Sequence, residues 1–162
     1  MTTTPNMLEA ALSYAERGWP VFPCHTNSSE ACSCGKQDCS SPAKHPRVAK
    51  GVLAATTDVS QIRKWWKLWP DANIGIATGA KSGIVVIDID PRHGGEESLA
   101  EFFHGALPRT PTALNGSGGA RYFFAHPGRN VRSRVNVLRG IDVHGDGDYV
   151  LAPSHGSTEE LA

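Results

Sequence analysis

Gly83-Ile84-Val85-Val86-Ile87-Asp88-Ile89-Asp90-Pro91 is an unbroken run of β-branched residues that ends in two carboxylates one residue apart. Val and Ile favour extended backbone, and a run this apolar predicts a central buried strand rather than a surface edge. Side chains alternate along a strand, so Asp88 and Asp90 are expected on one face and Ile87 and Ile89 on the other. Two carboxylates sharing one small volume repel unless a cation sits between them, and hard ions such as Mg²⁺ or Mn²⁺ take oxygen ligands of this kind. The alternative is a strand end running into a proline turn, with aspartate as a turn residue.

Toward the N-terminus, residues 73–78 predict a second strand, Ile74-Gly75-Ile76-Ala77, that turns at Gly79 into the acidic one. Before it, Thr57-Asp58 has the form of a helix N-cap, and Ile62, Trp65, Trp66 and Trp69 mark a helix ended by Pro70. Tryptophans at helical spacing invite base stacking, but this helix has no other apolar face, so packing is the expected use. Leu8, Ala11, Leu12 and Ala15 recur at helical spacing after Pro5-Asn6, with Gly18 as a left-handed exit, and predict an amphipathic helix over 6–17. A short strand from Trp19 to Phe22 follows, with Pro23 as its stop.

All four cysteines fall between Cys24 and Cys39. That is poor geometry for stapling a whole domain and good geometry for a metal knuckle. Residues 24–46, from Cys24-His25 through Cys32-Ser33-Cys34 and Cys39 to Lys44-His45-Pro46, place four cysteines and two histidines on a loop rich in Ser and Pro. Zinc takes four such ligands in a tetrahedron, and structural zinc contributes on the order of 10 kcal/mol to folding, enough to order a loop with few apolar groups. Cys32, Cys34, Cys39 and His45 are the expected ligands, with His25 as the substitute and Cys24 after it. A disulfide and free thiols on a flexible loop are the alternatives.

Downstream of the acidic strand, Glu96 to His104 predicts a helix carrying Leu99, Phe102 and Phe103 inward. The first half thus alternates strands and helices, which argues for helices packed on a sheet. The second half differs: Thr112 to Asn115, Arg121 to Ala125, Ile141 to His144 and Tyr149 to Ala152 are short strands between Gly-rich turns, an antiparallel pattern. Asn115-Gly116-Ser117-Gly118-Gly119 is either a close approach for a phosphate or a simple hairpin turn. Asp142 is a candidate third metal ligand. Arg129, Arg132, Arg134 and Arg139, with Arg121 upstream, concentrate positive charge, which reads as phosphate contact or as a solvated loop.

The chain has 162 residues and a formal net charge of zero, so nothing global marks it for nucleic acid, and any basic surface is local. No apolar run approaches membrane-spanning length and no charged-then-apolar leader follows Met1, so a cytoplasmic protein with no membrane partner is expected. One domain over 1–162 suits the length. The ending Thr158-Glu159-Glu160-Leu161-Ala162 suggests the N-terminal part of something longer.

Together these residues resemble the bifunctional primase-polymerase domain of the archaeo-eukaryotic primase superfamily. The resemblance covers nearly the whole chain: Gly18-Trp19-Pro20-Val21-Phe22-Pro23, Lys44-His45-Pro46, Trp65-Trp66, Asn73-Ile74-Gly75-Ile76, Val86-Ile87-Asp88-Ile89-Asp90, Ser117-Gly118-Gly119, and Gly140-Ile141-Asp142 to Pro153-Ser154. It implies an α+β (mixed α/β) fold, with a catalytic half like an RNA-recognition-motif sheet and an N-terminal α/β half bearing a zinc-binding insert at 24–46. It also implies template-directed nucleotidyl transfer, as DNA primase or polymerase, in replication of a plasmid, phage or mobile element. Asp88, Asp90 and Asp142 would be the catalytic ligands of two Mg²⁺ or Mn²⁺ ions. Ser117, Gly118, Gly119 and Arg121 would hold the nucleoside triphosphate, with single-stranded DNA template and primer as further partners and a fused or associated helicase. The family's middle motif carries a histidine shortly after Ser-Gly-Gly, where this chain has Arg121, which binds phosphate but does not titrate near neutrality. Two other classes stay open: a different Asp-x-Asp metal-dependent transferase, and a non-catalytic module of the same fold that binds nucleotide or nucleic acid.

Overall fold

The structure, a computed structural model, describes residues 6–115 and 118–153. Two compact units divide the chain: one joins the residues up to Ala77 with Tyr149–Ala152, and the other contains Thr78–Asp148. The fold class is mixed α/β with antiparallel sheets.

In the first unit, α1 (Met7–Glu16) starts where the Asn6 side chain accepts a hydrogen bond from the Leu8 amide. Helix α2 (Val59–Leu68) is capped in the same way by Asp58, which accepts from the Ser60 amide. Strands β1 (Val21–Cys24), β4 (Asn73–Ala77) and β10 (Tyr149–Leu151) form an antiparallel sheet with β4 in the middle. Between β1 and β4 in the chain lies the hairpin β2 (Asn27–Ser28) with β3 (Ala31–Cys32), inside the cysteine-rich segment. Pro23 does not stop β1. The strand runs through it because β1 is at the sheet edge, where a residue without an N–H costs no ladder bond.

Gly75 lies opposite Phe22 across the β1–β4 pair, and a Cβ built on it would come within 2.5 Å of the Phe22 ring. Absence of a side chain there lets the ring lie flat on the strand, where Phe22, Cys24, Ala55 and Ala77 form a core cluster with Trp65, Tyr149 and Leu151 against it. Trp66 is buried, and its indole N–H donates to the Ala72 carbonyl. The tryptophans of α2 therefore serve packing, as their spacing suggested.

The second unit is a five-stranded antiparallel sheet made of β5 (Ile84–Ile89), β6 (Thr112–Leu114), β7 (Ala120–Ala125), β8 (Arg134–Leu138) and β9 (Ile141–His144). Its order is β6-β7-β5-β9-β8, so the acidic strand is central. Ile89 and Ile141 join Leu99 of α3 (Gly95–Phe103) in a core cluster, with Ile87, Leu107, Tyr122 and Leu138 packed on it. Leu99 points inward as expected, but Phe102 and Phe103 are 54% and 40% exposed. A short helix presents only one narrow stripe to a sheet, and Leu99 with Ser98 already occupies it. Among the described residues no helix is long and apolar enough to cross a membrane.

Candidate functional site

The acidic strand carries Asp88 into a row that crosses three strands. Asp88 pairs in register with Arg121 of β7 on one side and with Asp142 of β9 on the other. Residues directly opposite on antiparallel strands share a face, so Arg121, Asp88 and Asp142 project together, away from the Ile87/Ile89 cluster. His144, two residues beyond Asp142 and opposite Val86, is on this face too, its Nδ1 2.8 Å from Asp148 Oδ2.

Arg121 Nε donates to Asp88 Oδ2 at 3.0 Å, an ion pair with both side chains about four-fifths buried, at 23% and 19% exposure. Asp142 Oδ1 accepts from the backbone N–H of Asn136 at 2.6 Å. Asn136 is in β8, in left-handed backbone with φ of 51°, at the irregularity where the β8–β9 register shifts.

Asp90 lies one residue past the end of β5 and caps a 3-10 turn, Pro91–His93. Both of its oxygens are engaged: Oδ1 accepts from the Arg92 amide and Nε at 2.9 and 3.1 Å, while Oδ2 takes Arg92 Nη2 at 3.0 Å and faces His93 Nδ1 at 2.8 Å. Those bonds from Arg92, then His93, hold the Asp90 carboxyl well below the usual carboxylate range. Sequence reading passed over Arg92 and His93, although an aspartate followed by proline signals a cap that turns the next side chains back onto the carboxylate.

Of the candidate phosphate turn, Ser117 and Gly116 lie outside the described residues. Asn115 closes the rest: its carbonyl accepts from the Gly118 amide at 3.1 Å, and its side-chain oxygen from the Gly119 amide at 2.8 Å. The turn abuts the end of β5, with Pro91 4.0 Å from a Cβ built on Gly118 and the Ile89 carbonyl 3.0 Å from one on Gly119. Of the four arginines, Arg129 and Arg132 are exposed loop residues, Arg134 opens β8, and Arg139 turns between β8 and β9 against Gly94.

A second constellation belongs to the first unit. Among the described residues, Cys32, Cys34, Cys39 and His45 offer ligand atoms that all lie within 4.8 Å of one another. Cys32 Sγ and Cys39 Sγ are 3.5 and 3.4 Å from His45 Nε2. Tetrahedral zinc with bonds of about 2.0–2.3 Å sets its ligands about 3.5–3.8 Å apart, so this Cys₃His group could hold zinc. The Ala43 amide donates to Cys32 Sγ and is the main reason its thiol is lowered to about 6, which favours the ligating thiolate.

The two lesser candidates are used otherwise. His25 is beside His45, ring centroids 4.3 Å apart, but its Nδ1 is turned to Ser33 Oγ at 2.8 Å. Burial in the Phe22 core pushes the Cys24 thiol up to about 12, the state of an inert apolar residue. Asn73 ties the knuckle to β4 by donating to the His25 and Ala43 carbonyls, and the Tyr149 hydroxyl donates to that of Lys44.

The family described as bifunctional DNA primase/polymerase, N-terminal, matches residues 11–160. The chain belongs to that family. Membership extends across both units and points to DNA primase or polymerase activity, a nucleotidyl transfer, with nucleotides and DNA as the bound species. No match to a curated protein was found.

Proposed function

We propose that this primase-polymerase family domain joins nucleotides on a DNA template, with the Arg121–Asp88–Asp142 row as its reaction centre. The observation that carries this reading is the sheet register, which brings a central-strand carboxylate and a neighbouring-strand carboxylate to one face with a guanidinium beside them. Asp88 and Asp142, with Asp90 one residue past the strand, would supply hard oxygen donors of the kind Mg²⁺ or Mn²⁺ takes, once Arg121, Arg92 and His93 release the two carboxylates they hold. Two divalent ions bound there would neutralise charge on the attacking 3′-hydroxyl and on the leaving pyrophosphate.

The chain's own residues divide the remaining work. Arg121 holds Asp88 while no cation is bound and is a fork-shaped donor to a phosphate oxygen once one is. Being permanently charged, it orients and stabilises without exchanging a proton. Gly118 and Gly119 give the triphosphate a wall free of side chains, Ser117 is a further phosphate contact by its place in the sequence, and Arg129, Arg132, Arg134 and Arg139 supply contacts to template and primer phosphates. Zinc on Cys32, Cys34, Cys39 and His45 braces residues 24–46. Service in plasmid, phage or mobile-element replication, with a helicase fused or associated, completes this reading.

One observation favours a second reading. The Arg121–Asp88 ion pair fills the position a cation would take, which suits a module that grips nucleotide or nucleic acid without turnover. Incubation with a primed template, labelled deoxynucleotides and Mn²⁺ separates the two. Template-dependent extension that Asp88→Asn and Asp142→Asn each abolish supports catalysis. Binding of template with no product from the wild type overturns it in favour of the binding module, and template-independent transfer would point to a different class of transferase.

A further inference from the structure

Three basic side chains surround the turn that follows Asp90, and the function proposed above gives no role to two of them, Arg92 and His93. Arg92 and His93 both close on the Asp90 carboxylate while keeping 61% and 70% of their own side chains exposed. Arg139 reaches the same turn from the β8–β9 connection, its Nε 2.9 Å from a Cβ built on Gly94. Glu96 and Glu97 follow in the first turn of α3, yet among the described residues they make no ion pair with these side chains.

The glycine turn is the neighbour of this cluster, since Gly118 approaches Pro91. Its Gly118 and Gly119 amides are already given to Asn115, so these two cannot donate to a phosphate unless that turn opens. A triphosphate resting against the turn must find donors elsewhere. Pro91, which approaches Gly118, is followed directly in the chain by Arg92 and His93, both with exposed side chains. A guanidinium fork fits a carboxylate and a phosphate equally well, so one side chain can serve either partner.

We propose that Arg92, assisted by His93, exchanges ligands: it neutralises Asp90 in the cation-free protein and moves to the outer phosphates of a bound triphosphate when divalent cations take that carboxylate. This rests on the proposed function, in which Asp90 is a cation ligand. Two consequences of opposite sign follow for one substitution. Arg92→Ala removes a competitor for Asp90, so Mn²⁺ alone should bind several-fold more tightly. The same change removes a charged donor to phosphate, so affinity for the triphosphate with Mn²⁺ should fall about tenfold or more.

The measurements are Mn²⁺ titration of the full chain by electron paramagnetic resonance, and calorimetric titration of inorganic tripolyphosphate and of dATP at saturating Mn²⁺. Arg92→Lys, which keeps the charge and loses the fork, should fall between wild type and Arg92→Ala for both phosphates. His93→Gln should change each affinity in the same directions as Arg92→Ala, but by less. If Arg92→Ala weakens Mn²⁺ and triphosphate together, Arg92 merely positions Asp90 and the exchange is wrong. If both tighten, Arg92 is only a competitor, and if triphosphate affinity is unchanged it never reaches phosphate. Wild-type protein that binds no Mn²⁺–triphosphate would remove the proposed function along with this inference. Wild-type binding that Arg92→Ala leaves untouched removes the inference alone.

Discussion

Arg121→Ala probes the row of side chains on which the reaction centre is built. The lost bond, Nε to Asp88 Oδ2 at 3.0 Å, joins charged groups that are about one-fifth exposed. A hydrogen bond between charged groups contributes about 1.5–3 kcal/mol, and partial exposure screens it toward the lower half of that range, about 2 kcal/mol. A second effect has the same sign. Asp88 and Asp142 are cross-strand partners, and two unit charges about 5.5 Å apart at an effective dielectric near 20 repel by about 3 kcal/mol before water relaxes around them. With Arg121 gone, that repulsion loses the guanidinium beside Asp88. Urea denaturation should therefore show Arg121→Ala less stable by about 2 kcal/mol or more, and the midpoint temperature should drop by about 4–8 °C for a chain of this length. Combining Arg121→Ala with Asp88→Asn in a double-mutant cycle should return a coupling of about 1–2 kcal/mol, and Mn²⁺ should raise the stability of Arg121→Ala more than that of wild type. A coupling below about 0.5 kcal/mol, with no difference in the Mn²⁺ response, would refute the row as an electrostatic unit.

Purified protein should contain one zinc per chain by elemental analysis, and a chelator should speed amide exchange across residues 24–46 while leaving β5 protected; four thiols that titrate freely in native protein would contradict this. Asp146 accepts amide bonds from Val131 and Ala80, both at 2.7 Å, which together hold its carboxyl below the ordinary range. A carboxyl depressed on folding contributes stability above its unfolded value of about 3.9 and loses it as pH falls through the folded one. Asp146→Asn should accordingly be less stable than wild type at pH 7, and acid titration below about pH 4 should bring variant and wild type together. Gly75→Ala sets a methyl 2.5 Å from the Phe22 ring and should cost about 1–3 kcal/mol in denaturant titrations, with Phe22→Leu in the same chain recovering part of it.

What was legible in the sequence follows from how local each signal is. Caps at Asn6 and Asp58, the β-branched run and the Cys/His window are each decided by neighbours within a few residues, and the structure has them close to where they were expected. Strand β8 is hidden among the arginines: Arg134-Val135-Asn136-Val137 alternates polar and apolar, but the run is short, and at the sheet edge neither set of side chains is buried. Phe102 and Phe103 misled because a helical stripe in sequence does not say how wide a strip the sheet can cover. The cross-strand row was legible only in part. Alternation placed Asp88 and Asp90 on one face, but which residues stand opposite Asp88 is set by hairpin register, a property of distant chain segments. The closure of Arg92 and His93 on Asp90 is not legible from the Asp88/Asp90 pair, because Asp90 is built as a cap whose partners follow it directly.

Strand β10 has a consequence for the order in which the chain can be made. Every strand of the five-stranded sheet lies between Ile84 and His144, so that sheet can close as soon as His144 has left the ribosome. The first unit cannot. Its central strand β4 emerges early, pairs with β1, and then keeps one edge bare until Tyr149–Leu151 arrives more than seventy residues later, a span set by the positions of Ala77 and Tyr149. A nascent chain thus carries an open, apolar strand edge through the synthesis of the whole acidic sheet, and a chain cut after Asp148 would keep that edge for good, exposed to pairing with other copies.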